Sequence, residues 1–222
     1  DYNTDVTIED DLKRRDLTIN AIAMGDEGNY IDPYNGIADI KNRILRHVSE
    51  AFVEDPLRVI RLGRMYARLK KFTIDPTTLQ LCIDMVADGM LESLPKERIV
   101  AEVRRVVESK SDLNRFMSFV SEIGAGATIF GIEGNCEIHH TGSEAINGVA
   151  HETTLEYLAG NQKDMMKKYA MIFRNEGRTT SEVKKFMVAA KYPSDIIRTV
   201  TRSNYVADLI YSLKNGSAPS AI

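Results

Sequence analysis

The sequence predicts an α+β fold, with a partial antiparallel sheet at the start and helices from there almost to the C-terminus. Three observations carry this. Residues 17–24 (LTINAIAM) mix alternation with short apolar side chains; after a GDEG turn, residues 29–32 read as the returning strand of a hairpin. From residue 55 onward the apolar residues recur at helical spacing. Proline and glycine interrupt that helical stretch at 74–76, at 93–95 and across 124–134.

In chain order, DPYNG (residues 32–36) is a turn, because proline pre-sets the torsion at its second position and Asn-Gly tolerates positive φ. Residues 37–45 read as a short helix. Further helices are expected at 55–71, 76–89, 95–109, 111–123, 143–159, 162–175, 180–190 and 194–213. The glycine-rich GAGATIFGIEG (residues 124–134) lacks the Lys-Ser/Thr of a phosphate loop and reads as a linker. The expected division is therefore 1–51, 52–123 and 124–222, with a frayed GSAPSAI at the end.

The composition, 43% hydrophobic and 27% charged, is that of a globular chain able to bury a real core. No apolar run approaches bilayer-spanning length and no secretory pattern is visible, so a cytoplasmic location without a membrane partner is expected. Cys82 and Cys136 have no ligand spacing and read as buried thiols. The net charge of −3 argues against wholesale nucleic-acid binding, but charge is unevenly placed: residues 41–71 hold nine Lys or Arg against three acids. That distribution fits one anion-binding face, or a solvated charged helix.

Residues 52–69 (FVEDPLRVIRLGRMYARL) are the most informative. Asp55 followed by Pro56 is a helix start, with the carboxylate as cap. At 100° per residue Val59, Leu62, Met65, Tyr66 and Leu69 form the core face, while Arg61, Arg64 and Arg68 form a cationic stripe on the other side. Arg58 projects from the apolar face near Asp55 and so needs a partner or a ligand. Two readings stand: an internal Asp55–Arg58 ion pair at a helix start, or a planar set of donors and acceptors that matches a base edge. The stripe is either solvated or suited to phosphates. Upstream, Arg14, Arg15 and Asp16 stand just before the first strand; the alternatives are a ligand contact by one arginine, or a charged loop with one arginine tied to Asp10 or Asp11.

RRDLTINAIA, IDPYNGIADIKNRILRHV and FVEDPLRVIRLGRMYARL, in that order and spacing, resemble the class II tRNA nucleotidyltransferases and bacterial poly(A) polymerases, most nearly the enterobacterial multifunctional CCA-adding enzymes. The likeness is dense over residues 6–69, looser through SLPKERIVAEVRRVV (93–107), and faint beyond about residue 125. It implies a partial nucleotidyltransferase head (1–51), a helical neck and body with a nucleotide-selecting helix (52–123), and a helical, tRNA-binding tail (124–222). It implies nucleotide binding by Arg15, Asp55, Arg58, Arg61 and Arg64, with Asp55 and Arg58 pairing with the base of CTP or ATP. Glu54 and Asp16 would support them, and Arg68, Arg98, Arg104 and Arg105 would meet RNA. Arg14 and Asn20, in the same block, take no role.

The family's GGxxRD turn and the Asp-x-Asp carboxylates that hold catalytic Mg2+ have no counterpart in the sequence. The resemblance therefore implies a nucleotidyltransferase whose catalytic and metal-binding residues lie outside this chain, in a missing N-terminal segment or a companion chain, and which is inactive without them. A poly(A) polymerase and a non-catalytic RNA-binding or scaffold descendant are the alternatives. In the enterobacterial relatives a His-Asp motif holds metal in a further domain; here Arg174-Asn175 stands in its place, so His139, His140 and His151 are not expected to bind metal.

Overall fold

The computed structural model describes residues 7–131, 163–173 and 178–214. Thr7 opens α1 (Ile8–Lys13) with a capping box: its hydroxyl accepts from Asp10 N at 3.2 Å and its own N–H donates to the Asp10 carboxylate. Residues 17–22, expected as strand, instead bridge once to His47 at Leu17 and then turn through a 3-10 helix, Thr18–Asn20. The reason lies in packing. The first turn of α2 (Gly36–Asn42) presses on this segment so closely that a Cβ on Gly36 would stand 2.1 Å from the Thr18 carbonyl oxygen.

The hairpin survives in short form. β1 (Ala23–Met24) pairs antiparallel with β2 (Tyr30–Ile31), Ala23 opposite Ile31 and Met24 opposite Tyr30, around the GDEG turn. β3 (Ile44–Leu45), expected as helix, pairs in parallel with β4 (Thr73–Ile74). The α+β class therefore holds, with a parallel pair that the sequence reading missed.

The helical part follows its punctuation. α3 (Leu57–Arg68) begins after Pro56, where Leu57 N donates to the Asp55 carboxylate at 3.3 Å. α4 (Pro76–Ala87) is capped by Asp75, and α6 (Leu113–Glu122) by Asp112. α5 (Lys96–Glu108) lies against α3, and α6 crosses α3 so tightly that a Cβ on Gly63 would meet the Phe119 ring at 2.7 Å. Of the expected core face of α3, Val59 and Leu62 are fully buried, whereas Met65, Tyr66 and Leu69 are partly buried.

The glycine-rich stretch read as a linker contains α7 (Gly126–Phe130), whose Ile129 and Phe130 are buried. Phe130 stacks edge-on against Phe116 of α6 and Phe173 of α8 (Lys163–Phe173), so one apolar core runs on into α9 (Thr180–Ala189) and α10 (Ser194–Lys214). Among the described residues no helix is long and apolar enough to cross a membrane. Cys82 is buried, and desolvation raises its thiol pKa to about 12, so it is inert. The helix expected at 143–159, His139, His140, His151, Cys136 and the C-terminal GSAPSAI lie outside the described residues.

Candidate functional site

The loop after α1 runs against the N-terminal half of α3, and Asp16 sits where they meet. Its carboxylate is almost buried and takes two arginines: Arg58 Nε at 3.3 Å and Arg61 Nη2 at 2.8 Å. Burial pushes Asp16 above its ordinary pKa, against the pull of Arg61 and then Arg58. Arg58 is held on every side. Its Nη2 donates to the Arg14 carbonyl at 2.6 Å, its Nη1 donates to the Ala51 carbonyl, and its side chain is only 11% exposed. One guanidinium thus ties three segments together: the end of α1, the 3-10 turn Glu50–Glu54 and the start of α3. Ser49 adds a fourth tie, donating from its hydroxyl to the Lys13 carbonyl.

The expected side-by-side Asp55–Arg58 pair is not formed. Asp55 is engaged by Arg98 of α5, whose Nη2 stands 3.3 Å from Oδ1 and 3.2 Å from Oδ2. Nor is the cationic stripe free of acids. Arg64 donates through Nε to Glu102 at 2.8 Å, and Glu102, buried on α5, also takes Arg105. Arg61 is 40% exposed and keeps a buried Nε without a partner; Arg68 is exposed and has no ion pair among the described residues. Arg15 pairs with Asp11 on the surface at 2.7 Å, the charged-loop alternative. Arg104 pairs with Glu108 one turn along α5. Glu54 is exposed, as is Asn20.

Asp16, Asp55, Arg58 and Arg61 therefore converge where loop and helix meet, with Arg98 joining from α5. Arg104 and Arg105 lie further along α5, and Arg15 stands apart on α1's acid. Sequence reasoning missed Glu102, although a signal existed: at helical spacing it shares one side of α5 with Ile99, Val103 and Val106. The Arg14 and Ala51 carbonyls had no sequence signal. Mg2+ finds no donor set here. No cluster of three or more His, Cys, Asp or Glu fit for a metal occurs among the described residues, and Asp10 and Asp11 are committed to Thr7 and Arg15.

Residues 1–46 match the family model described as the poly A polymerase head domain. A multifunctional CCA protein of Aliivibrio salmonicida is 54% identical over 127 residues, which is 56% of this chain and 31% of that protein. Another, of Alkalilimnicola ehrlichii, is 40% identical over 189 residues, 80% of this chain and 44% of that one. Among solved structures, the Bacillus stearothermophilus CCA-adding enzyme in complex with CTP is similar at TM-score 0.64 and 25% identity, covering 94% of this chain and 48% of that one. A tRNA nucleotidyltransferase complexed with a primer tRNA and an incoming ATP analog shares the fold, at TM-score 0.71 and 22% identity, over 94% of this chain and 62% of that one. Fold and motifs define the class: over residues 1–46 the chain matches the poly A polymerase head-domain family, and beyond them it stays similar to CCA proteins. The curated relatives it matches are named as multifunctional CCA proteins or CCA-adding enzymes, and the chain spans about a third of the length of the first of them.

Proposed function

We propose that this chain is the nucleotide-selecting and tRNA-binding portion of a CCA-adding tRNA nucleotidyltransferase, which adds C and A from CTP and ATP to the tRNA 3′ end. The observation that supports this best is the convergence of Asp16, Asp55, Arg58 and Arg61 at one partly exposed junction, in a chain whose relatives are CCA-adding enzymes. Carboxylate and guanidinium groups there supply acceptors and donors for a base edge, and Arg61 and Arg68 supply charge for phosphates. Glu54 and Arg64 beside this junction, and Arg15 once it leaves Asp11, are the further nucleotide contacts of this reading, and Arg68, Arg104 and Arg105 its RNA contacts. The catalytic carboxylates and their Mg2+ belong to residues outside this sequence, on a preceding segment or a companion chain. No catalytic step is assigned to the residues described here.

The test is incorporation of labelled CMP and AMP into a tRNA that ends just before its CCA. The 222-residue chain alone is expected to incorporate neither, and the chain assembled with a segment bearing GGxxRD and Asp-x-Asp to add the three nucleotides and stop. Open-ended tails from ATP alone would favour the poly(A) polymerase reading. Retained tRNA binding without incorporation in any assembly would favour the non-catalytic one.

A further inference from the structure

We infer that Arg98 is a positioning residue for nucleotide selection, holding the Asp55 carboxylate in the orientation that lets it accept an exocyclic amino group. The inference rests on the reading of Asp55 as a base-reading group, and it moves Arg98 from the RNA-contacting set to the selecting site.

A carboxylate reads a base only if its plane and its open lone pairs are fixed, since a freely turning one accepts from many directions. Asp55 stands one residue before Pro56 and α3, where its own segment restrains it only through the chain and the Leu57 N–H. Leu57 N donates to Oδ1, and no other group on Asp55's own helix reaches the carboxylate. The remaining restraint comes from another element: Arg98 Nη2 contacts Oδ1 at 3.3 Å and Oδ2 at 3.2 Å and so straddles the carboxylate.

Each carboxylate oxygen has about two acceptor directions. Oδ1 is filled by Leu57 N and Arg98, whereas Oδ2 takes Arg98 alone and keeps one direction open. One open acceptor suits one amino group. Cytosine presents such a donor at N4 and adenine at N6, while the matching position of uracil is a carbonyl oxygen that would face the carboxylate unfavourably. The setting spans two elements. Arg98 and Glu102 are one turn apart on α5, and Glu102 grips Arg64 of α3 at 2.8 Å, so the two helices are stapled at both places.

The experiment compares Arg98→Ala, Arg98→Lys and Asp55→Ala in the assembled enzyme. It reads the CTP-over-UTP incorporation ratio, the KM for tRNA, and the urea midpoint to confirm folding. Arg98→Ala is expected to lower the ratio about tenfold, the scale of one charge-assisted hydrogen bond, with the tRNA KM unchanged. Arg98→Lys should restore most of the ratio, because an ammonium can still reach the carboxylate. Adding Arg98→Ala to Asp55→Ala should lower the ratio no further. An unchanged ratio in Arg98→Ala, with a clear loss in Asp55→Ala, overturns the inference alone. A raised tRNA KM with an unchanged ratio does the same and returns Arg98 to RNA binding. An unchanged ratio in Asp55→Ala overturns both this inference and the base-reading role of Asp55.

Discussion

Arg58→Ala is the perturbation whose consequence the structure specifies most fully. The side chain donates to the Arg14 and Ala51 carbonyls and forms an ion pair with the Asp16 carboxylate, and it is 11% exposed. Each hydrogen bond to or from a charged group contributes roughly 1.5–3 kcal/mol, but bonds made by one side chain do not add independently. Breaking a buried pair by removing one partner costs about 3–5 kcal/mol, because the remaining charge is left in place. Here Asp16 keeps Arg61 and so sets the loss within that range rather than above it. For a chain of this length each kcal/mol moves Tm by about 2–4 °C, which gives a fall of roughly 6–20 °C. Urea unfolding and thermal melting of the same material supply the measurement. Arg58→Lys should recover only part of the loss, since one ammonium cannot serve three acceptors that a planar fork reaches together. A loss below about 1 kcal/mol, the scale of an exposed ion pair, would refute the assignment of Arg58 as the tie between the loop and α3.

Two further outcomes follow from the ion pairs around α5 and α4. Glu102→Ala should cost about 3–5 kcal/mol, because it strands the largely buried Arg64, whereas Arg105→Ala, which removes a partner 63% exposed, should cost less than about 1 kcal/mol; equal urea midpoints for the two variants would contradict this. Asp75 is pushed up by burial, but the Thr77 hydroxyl, Arg46 and the Thr77 and Thr78 N–H groups together hold its pKa below the ordinary 3.8. A depressed carboxylate contributes stability that is present above its unfolded pKa and lost as pH falls through the folded one. Between pH 7 and pH 3 the native chain should therefore lose more stability than Asp75→Asn does, and parallel losses in urea titrations would show that the shift is absent.

What the sequence made legible was mainly what local chemistry decides. Helix boundaries at Pro56, Pro76 and Pro95, and the capping carboxylate at Asp55, depend on residues only a few positions apart, and these boundaries came out within a few residues. Of the strand expected at 17–24 only Ala23–Met24 formed, and the first part gave way to a 3-10 turn where a glycine helix start is pressed against Thr18. The β3–β4 pair joins residues nearly thirty positions apart, and a two-residue strand carries no periodicity to find. The glycine-rich stretch looked like a linker by composition, yet Ile129 and Phe130 have aromatic partners on α6 and α8 that make helix formation worthwhile. At the candidate site the residue types were legible but their pairings were not. Asp16, Asp55 and Glu102 choose among several arginines, and the choice depends on how α5 crosses α3.

That choice ranks the arginines of α3 as phosphate contacts. A cation recruited by an incoming triphosphate must either have free donors or give up a carboxylate. Arg64 would have to leave the buried Glu102, which would be stranded with only the exposed Arg105, so its recruitment is costly. Arg58 would have to release two main-chain carbonyls as well as Asp16. Arg61 differs from both. It holds Asp16 through Nη2 alone, has a buried Nε that nothing satisfies, and is 40% exposed. Asp16 is also its most replaceable partner, because Arg58 remains to neutralise that carboxylate if Arg61 turns away, and burial already disfavours its charged form. Arg61 is thus the arginine that can swing toward an anion while leaving the fold's internal charges balanced, and Arg68, exposed one helical stretch further on, extends the same cationic edge.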